Sequence, residues 1–105
     1  MKRTDIKPLV TVAVPFQVTG WVQIRVVAEA SVDVFVVDPD GRSEYERGDT
    51  FKSLVGSTNL PEHTLTACLP LGTWYLLIAN RASDRVLMVD YELRPIYMGG
   101  PSIQL

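Results

Sequence analysis

The chain has 105 residues, the size of one domain with a single core. Apolar residues make up 47% of it and charged residues 21%, values that exclude an intrinsically disordered chain. The net charge of −2 excludes sequence-independent nucleic-acid binding, which needs a basic surface to release counterions.

The opening "MKRTDIKP" is polar, and its basic residues Lys2, Arg3 and Lys7 form the only basic cluster. Residues 1–7 are expected to form a loose end. No apolar run here has the length of a signal peptide, and none elsewhere reaches a membrane span. With one cysteine, Cys68, no disulfide framework can form inside the chain. A cytoplasmic location without membrane contact is the expectation.

Period-two alternation dominates the rest of the chain. "LVTVAV" (9–14) places Val10, Val12 and Val14 on one face, and Pro15 ends this strand or confines it to an edge. "WVQIRVVAEA" (21–30) turns Val22, Ile24, Val26 and Ala28 one way and Gln23, Arg25 and Glu29 the other. "VDVFVVD" (32–38) pairs Val32, Val34 and Val36 with a second apolar face, Phe35 and Val37, as a central strand does.

Asp38-Pro39-Asp40-Gly41 then reads as a turn. Ser43-Glu44-Tyr45-Glu46 fits a capping box, with Ser43 and Glu46 exchanging bonds, and Gly48 sits where a helix ends. One helical turn at 43–47 is expected. "TLTACLPL" (64–71), "GTWYLLIANR" (72–81) and "RVLMVDYEL" (85–93) are the remaining strands. Gly99-Gly100-Pro101 closes the last one and makes 98–105 a second loose end. Strands spaced so regularly imply an all-β fold, a compact antiparallel, jelly-roll-like β-sandwich of about seven or eight strands.

Candidate chemistry is sparse. Asp38 and Asp40 occupy the first and third positions of a calcium loop, but Arg42 stands at the fifth and Asp49 at the twelfth. They are the only metal candidates, and the expectation is no metal. His63 is the one histidine; in "LPEHT" it reads as a solvated loop residue. Cys68, inside a strand, reads as a small buried hydrophobe. No catalytic residue is assigned, because nucleophile, base and orienting group do not come together. No Gly-rich phosphate loop or other cofactor motif is present. Trp21, Tyr45 and Tyr97 are the aromatics expected at the surface, and Tyr45, Glu46 and Arg47 belong to a protruding loop.

"ASVDVFVVDPDG", then "SEYERG", then "LPLGTWYLLIANRASDRVLMVDYEL" resembles the small β-sandwich modules of the GOLD and bacterial pre-peptidase C-terminal types. It is also similar to a bacterial domain family found alone or beside TIR domains. The likeness spans roughly residues 20–95 and rests on turns and core aromatics. It implies a non-catalytic accessory or interaction domain; some pre-peptidase-type relatives bind calcium or collagen outside cells. Together with the residue reading, the expectation is a cytoplasmic, non-enzymatic module that self-associates or binds a protein partner. The alternative is a β-sandwich that binds a small ligand, a carbohydrate or calcium through Trp21, Tyr45 and loop acids.

Overall fold

The computed structural model describes residues 1–96. The expected loose end at 98–105, and Tyr97, lie outside the described residues. The elements in order are β1 (Lys2–Ile6), β2 (Thr11–Phe16), β3 (Gly20–Val37), α1 (Pro39–Glu46), β4 (Val55–Leu69), β5 (Trp74–Asn80) and β6 (Leu87–Pro95). All pairings are antiparallel. The strands form one six-stranded sheet ordered β1-β6-β3-β5-β2, with β4 on the other edge of β3.

Against the seven or eight strands expected from the turn spacing, the described residues form six. The segments 21–30 and 32–38 are one strand, β3, which passes through Ala28–Ser31 without stopping. On one edge β3 pairs first with β6 (Val22–Ala28) and then with β5 (Val32–Val37). On the other edge β4 follows it throughout, with shifts in register between Val27 and Val32 and between Val32 and Val34. Such bulges bend a strand and increase its local twist. The small side chains of Ala28, Ala30 and Ser31 leave room for the bend. It curls the sheet into a half-barrel.

Side-chain alternation survives the bend. Val22, Ile24 and Val26 before it, and Val32, Val34 and Val36 after it, all enter one apolar cluster. Ile6, Ala67, Leu69, Leu76, Ile78, Leu87 and Val89 complete its buried part. A fully buried aliphatic side chain contributes about 1.5–3 kcal/mol relative to exposure. The curl stops short of closure: between β1, β2 and β6 a slot of about 380 Å3 remains, lined by Val14, Phe16, Tyr91 and Leu93.

β5 lies between β3 and β2, as its two apolar faces require. β2 lies at an edge, where Pro15, lacking an N–H, does least harm. Lys2–Ile6, expected to be loose, is instead an edge strand in register with Leu87–Tyr91. Two features tie it down. Ile6 is fully buried. Arg3 bonds Asp90 through Nε–Oδ1 at 2.8 Å and Nη2–Oδ2 at 3.3 Å.

The hydrogen bond from Arg3 holds the Asp90 carboxyl below the ordinary carboxylate pKa. A lowered folded-state value means that the contribution is present above the unfolded pKa and is lost as pH falls through the folded one. Asp90→Asn should therefore loosen β1 alone. Amide exchange at Thr4 and Ile6, corrected for intrinsic rate, should quicken several-fold, and acidification of the unaltered protein should do the same. Unchanged protection in both cases would show that Ile6 alone anchors the strand.

Candidate functional site

The charged stretch after β3 is a helix, and its start differs from the sequence expectation. Asp38, not Ser43, is the N-cap: its backbone is extended (φ −80°, ψ 177°) and its Oδ1 accepts from Gly41 N–H at 2.7 Å. Pro39 follows at the first helical position, where its fixed φ suits the helix and its missing N–H costs nothing. Asp-Pro is thus a helix entry rather than a turn. Gly41 is buried against the sheet; a Cβ there would lie 3.0 Å from both Lys52 O and Val37 Cβ. The end is as expected: Gly48, at φ 76°, donates to Tyr45 O at 3.0 Å, and Asp49 N–H donates to Glu44 O at 2.9 Å. These two bonds make a Schellman closure.

This helix covers the outer face of β3 and β5, where Val37, Leu77 and Ala79 are buried. Tyr45, expected as an exposed contact, is half-buried and structural. Its ring packs edge-on against Phe51 at 5.1 Å and lies 6.3 Å from Phe35, and its hydroxyl hydrogen-bonds Thr11 Oγ1 at 2.8 Å. Arg42 lies 4.6 Å over the Tyr75 ring while its Nε donates to Glu46 at 2.8 Å. Glu46 and Arg47 are exposed, Arg47 pairing with Asp49 at 2.9 Å. Trp21 is 42% exposed near the start of β3, opposite Cys68 on β4. Tyr45 packs near the far end of β3, so Trp21 and Tyr45 do not form one platform.

Beside α1 lies a cleft of about 550 Å3 lined by Asp38, Asp40, Glu44, Arg47 and Lys52 among others. Asp38 is committed to its cap. Among the described residues, no three His, Cys, Asp or Glu side chains are grouped to hold a metal. Nor is any helix there long and apolar enough to cross a membrane.

The other two sequence candidates change character. Cys68 is exposed: Ala67 and Leu69 point into the core, so the alternation turns Cys68 outward. His63, expected in a solvated loop, lies on β4 opposite Val26 and is only 2% exposed. Its Nε2 lies 2.9 Å from Val32 O and 2.8 Å from Leu60 O, so the N–H sits there and both carbonyls share it. Nδ1 is buried without a partner among the described residues. His63 pairs with Val26 before the register break and both carbonyls belong to the Val32–Leu60 pair beyond it, so the imidazole bridges the bend.

Two further buried polar residues carry no motif that marks them in the sequence. Asp33 accepts from Asn59 N–H at 2.8 Å and faces Arg81 at 3.4 Å, holding Asn59 in its left-handed conformation (φ 58°). Asn80 donates to Ile6 O, Lys7 O and Arg85 O and accepts from Ala82 N–H, tying the β1–β2 and β5–β6 loops together. A lone polar residue inside an apolar strand is the available signal for both. These side chains hold the fold, and none is left convergent on a cavity.

The register also shows which backbone groups are free. Ile96 N–H bonds Trp21 O, so odd residues of this part of β3 face β6 and even ones face β4. In β4, His63, Leu65, Ala67 and Leu69 therefore bond β3, while Glu62, Thr64, Thr66 and Cys68 turn N–H and C=O to the outer edge. Among the described residues no strand pairs with that edge. No family model and no curated protein matches the chain.

His63→Ala should destabilise the fold by about 2–4 kcal/mol in chemical denaturation, because it opens a cavity and leaves the buried Val32 carbonyl and the part-buried Leu60 carbonyl without this donor. Tyr45→Phe should cost about 1 kcal/mol, the loss of one hydrogen bond with ring packing kept. Equal, small effects from both would show that the bend does not depend on the imidazole.

Proposed function

We propose that the chain is a non-catalytic interaction module that self-associates or binds a protein partner, its curled sheet being a small jelly-roll-like sandwich whose layers share β3 and β4. One observation carries this reading. The outer edge of β4, which no strand pairs among the described residues, turns donors and acceptors outward over an extended strand, which is a template for another strand. The commitment of His63, Asp33 and Asn80 to backbone groups supports it, since these polar side chains are occupied in holding the fold. The likeness to GOLD and pre-peptidase C-terminal modules points to the same class. The apolar outer face of β3 and β5 does not contribute, because α1 and Phe51 cover it.

The cleft beside α1 favours a second reading, a calcium or small-ligand site reduced to Asp40 and Glu44. Calcium titrated by calorimetry tests it; the absence of heat at millimolar calcium removes it.

For the first reading, sedimentation equilibrium between low and several hundred micromolar protein should give a mass that rises to a multiple of the monomer. A monomer throughout would leave only the binding of a different protein.

A further inference from the structure

We infer that two copies of this chain join edge to edge along Glu62–Cys68, antiparallel, with the two-fold axis at Leu65. This rests on the self-association reading and specifies its surface. The window is bounded on both sides: Asn59 is left-handed and Pro61 lacks an N–H at one end, and Pro70 follows at the other. Between them Glu62, Thr64, Thr66 and Cys68 are exposed, with their backbone groups turned outward.

Pairing of the window with its own copy satisfies every one of those groups. Centred on Leu65, Thr64 meets Thr66 of the second copy, Glu62 meets Cys68, and each pair exchanges both N–H···O=C bonds. Cross-strand threonine pairs are favourable, and the only charge in the window faces an uncharged residue. No like charges meet, so the repulsion that normally prevents self-pairing is absent. Leu65, half-buried in the single chain, meets its own copy across a narrow pair about 4.5 Å apart at Cα.

The other edges are blunted. β1 turns Arg3 and Asp5 outward, and β2 carries Pro15. Edge strands are usually protected by such charges and prolines. Glu62–Cys68 has neither inside it apart from Glu62 itself. A second copy is therefore the occupant that this strand fits, and it would extend β1-β6-β3-β4 across the axis.

Glu62→Cys tests the register against the native Cys68. Opposed residues of a bonded pair lie about 5.5 Å apart at Cα, within disulfide range. Along one strand the same two positions are about 20 Å apart, too far to bridge within a chain. Oxidation of E62C should thus give a covalent dimer on a non-reducing gel. The unaltered protein and E62C/C68S, whose like sulfurs lie that far from their copies, should not cross-link. Thr64→Lys with Thr66→Lys places lysine opposite lysine twice. It should weaken the dimer at least roughly tenfold in sedimentation, with circular dichroism unchanged. A dimer that resists the double lysine variant, with no cross-link in E62C, overturns the edge and leaves self-association standing. An unaltered protein that stays monomeric at several hundred micromolar overturns both.

Discussion

The bend in β3 is the constraint on which the rest of the molecule depends. Without it, Val22–Val26 and Val32–Val36 would present one apolar face of a flat ribbon to water. With it, the two runs converge on a single cluster. The bend requires β4 to skip residues against β3, and skipped residues leave backbone groups without ladder partners. His63 and Asp33 supply what is missing. The imidazole serves the carbonyls of Val32 and Leu60, and the carboxylate serves the amide of Asn59. Both come from the strands that bend, so the corner supplies partners for these backbone groups from its own residues, while the imidazole Nδ1 is left without one among the described residues.

The same logic explains α1. Once β3 changes partner from β6 to β5, its second face becomes apolar, and Phe35, Val37, Leu77 and Ala79 need a cover. The Asp38 cap starts a helix immediately after the strand, and Gly41 allows that helix to lie close to the sheet. Phe51, arriving on the way to β4, closes the aromatic cluster with Tyr45 and Phe35. The abundance of charge at 38–49 lies on the solvent side of this cover.

Alternation is legible wherever one face is buried. The inward sets Val22-Ile24-Val26, Val32-Val34-Val36, Leu65-Ala67-Leu69 and Leu87-Val89 stand in the structure as the sequence pattern implies, Leu65 only half-buried. The elements that the pattern does not reveal lack that signature. β1 buries only Ile6, so its charged residues look like a tail. The first half of β4, "VGSTNLPEH", is an edge with little to hide, so no periodicity marks it. His63 looks like a loop residue because a register break is invisible to a period-two pattern, and the loop-like "LPEHT" spans that break, between the Glu62–Val27 and Leu60–Val32 pairs. The helix start is ambiguous because Asp-Pro-Asp-Gly serves turns and N-caps alike; the buried approach of Gly41 decides between them. Trp21 alone among the aromatic contact candidates on described residues keeps the exposure expected of it.

The pairing of Lys2 with Tyr91 carries a consequence for how the chain reaches this state. β1 is made before β6, the strand that it needs. β3, the hub, likewise waits for β4, β5 and β6 in turn. Such non-local pairings must close long loops before contacts reward them, which slows folding. The core therefore assembles only after β6 has been made, and Ile6 stays unpaired until then.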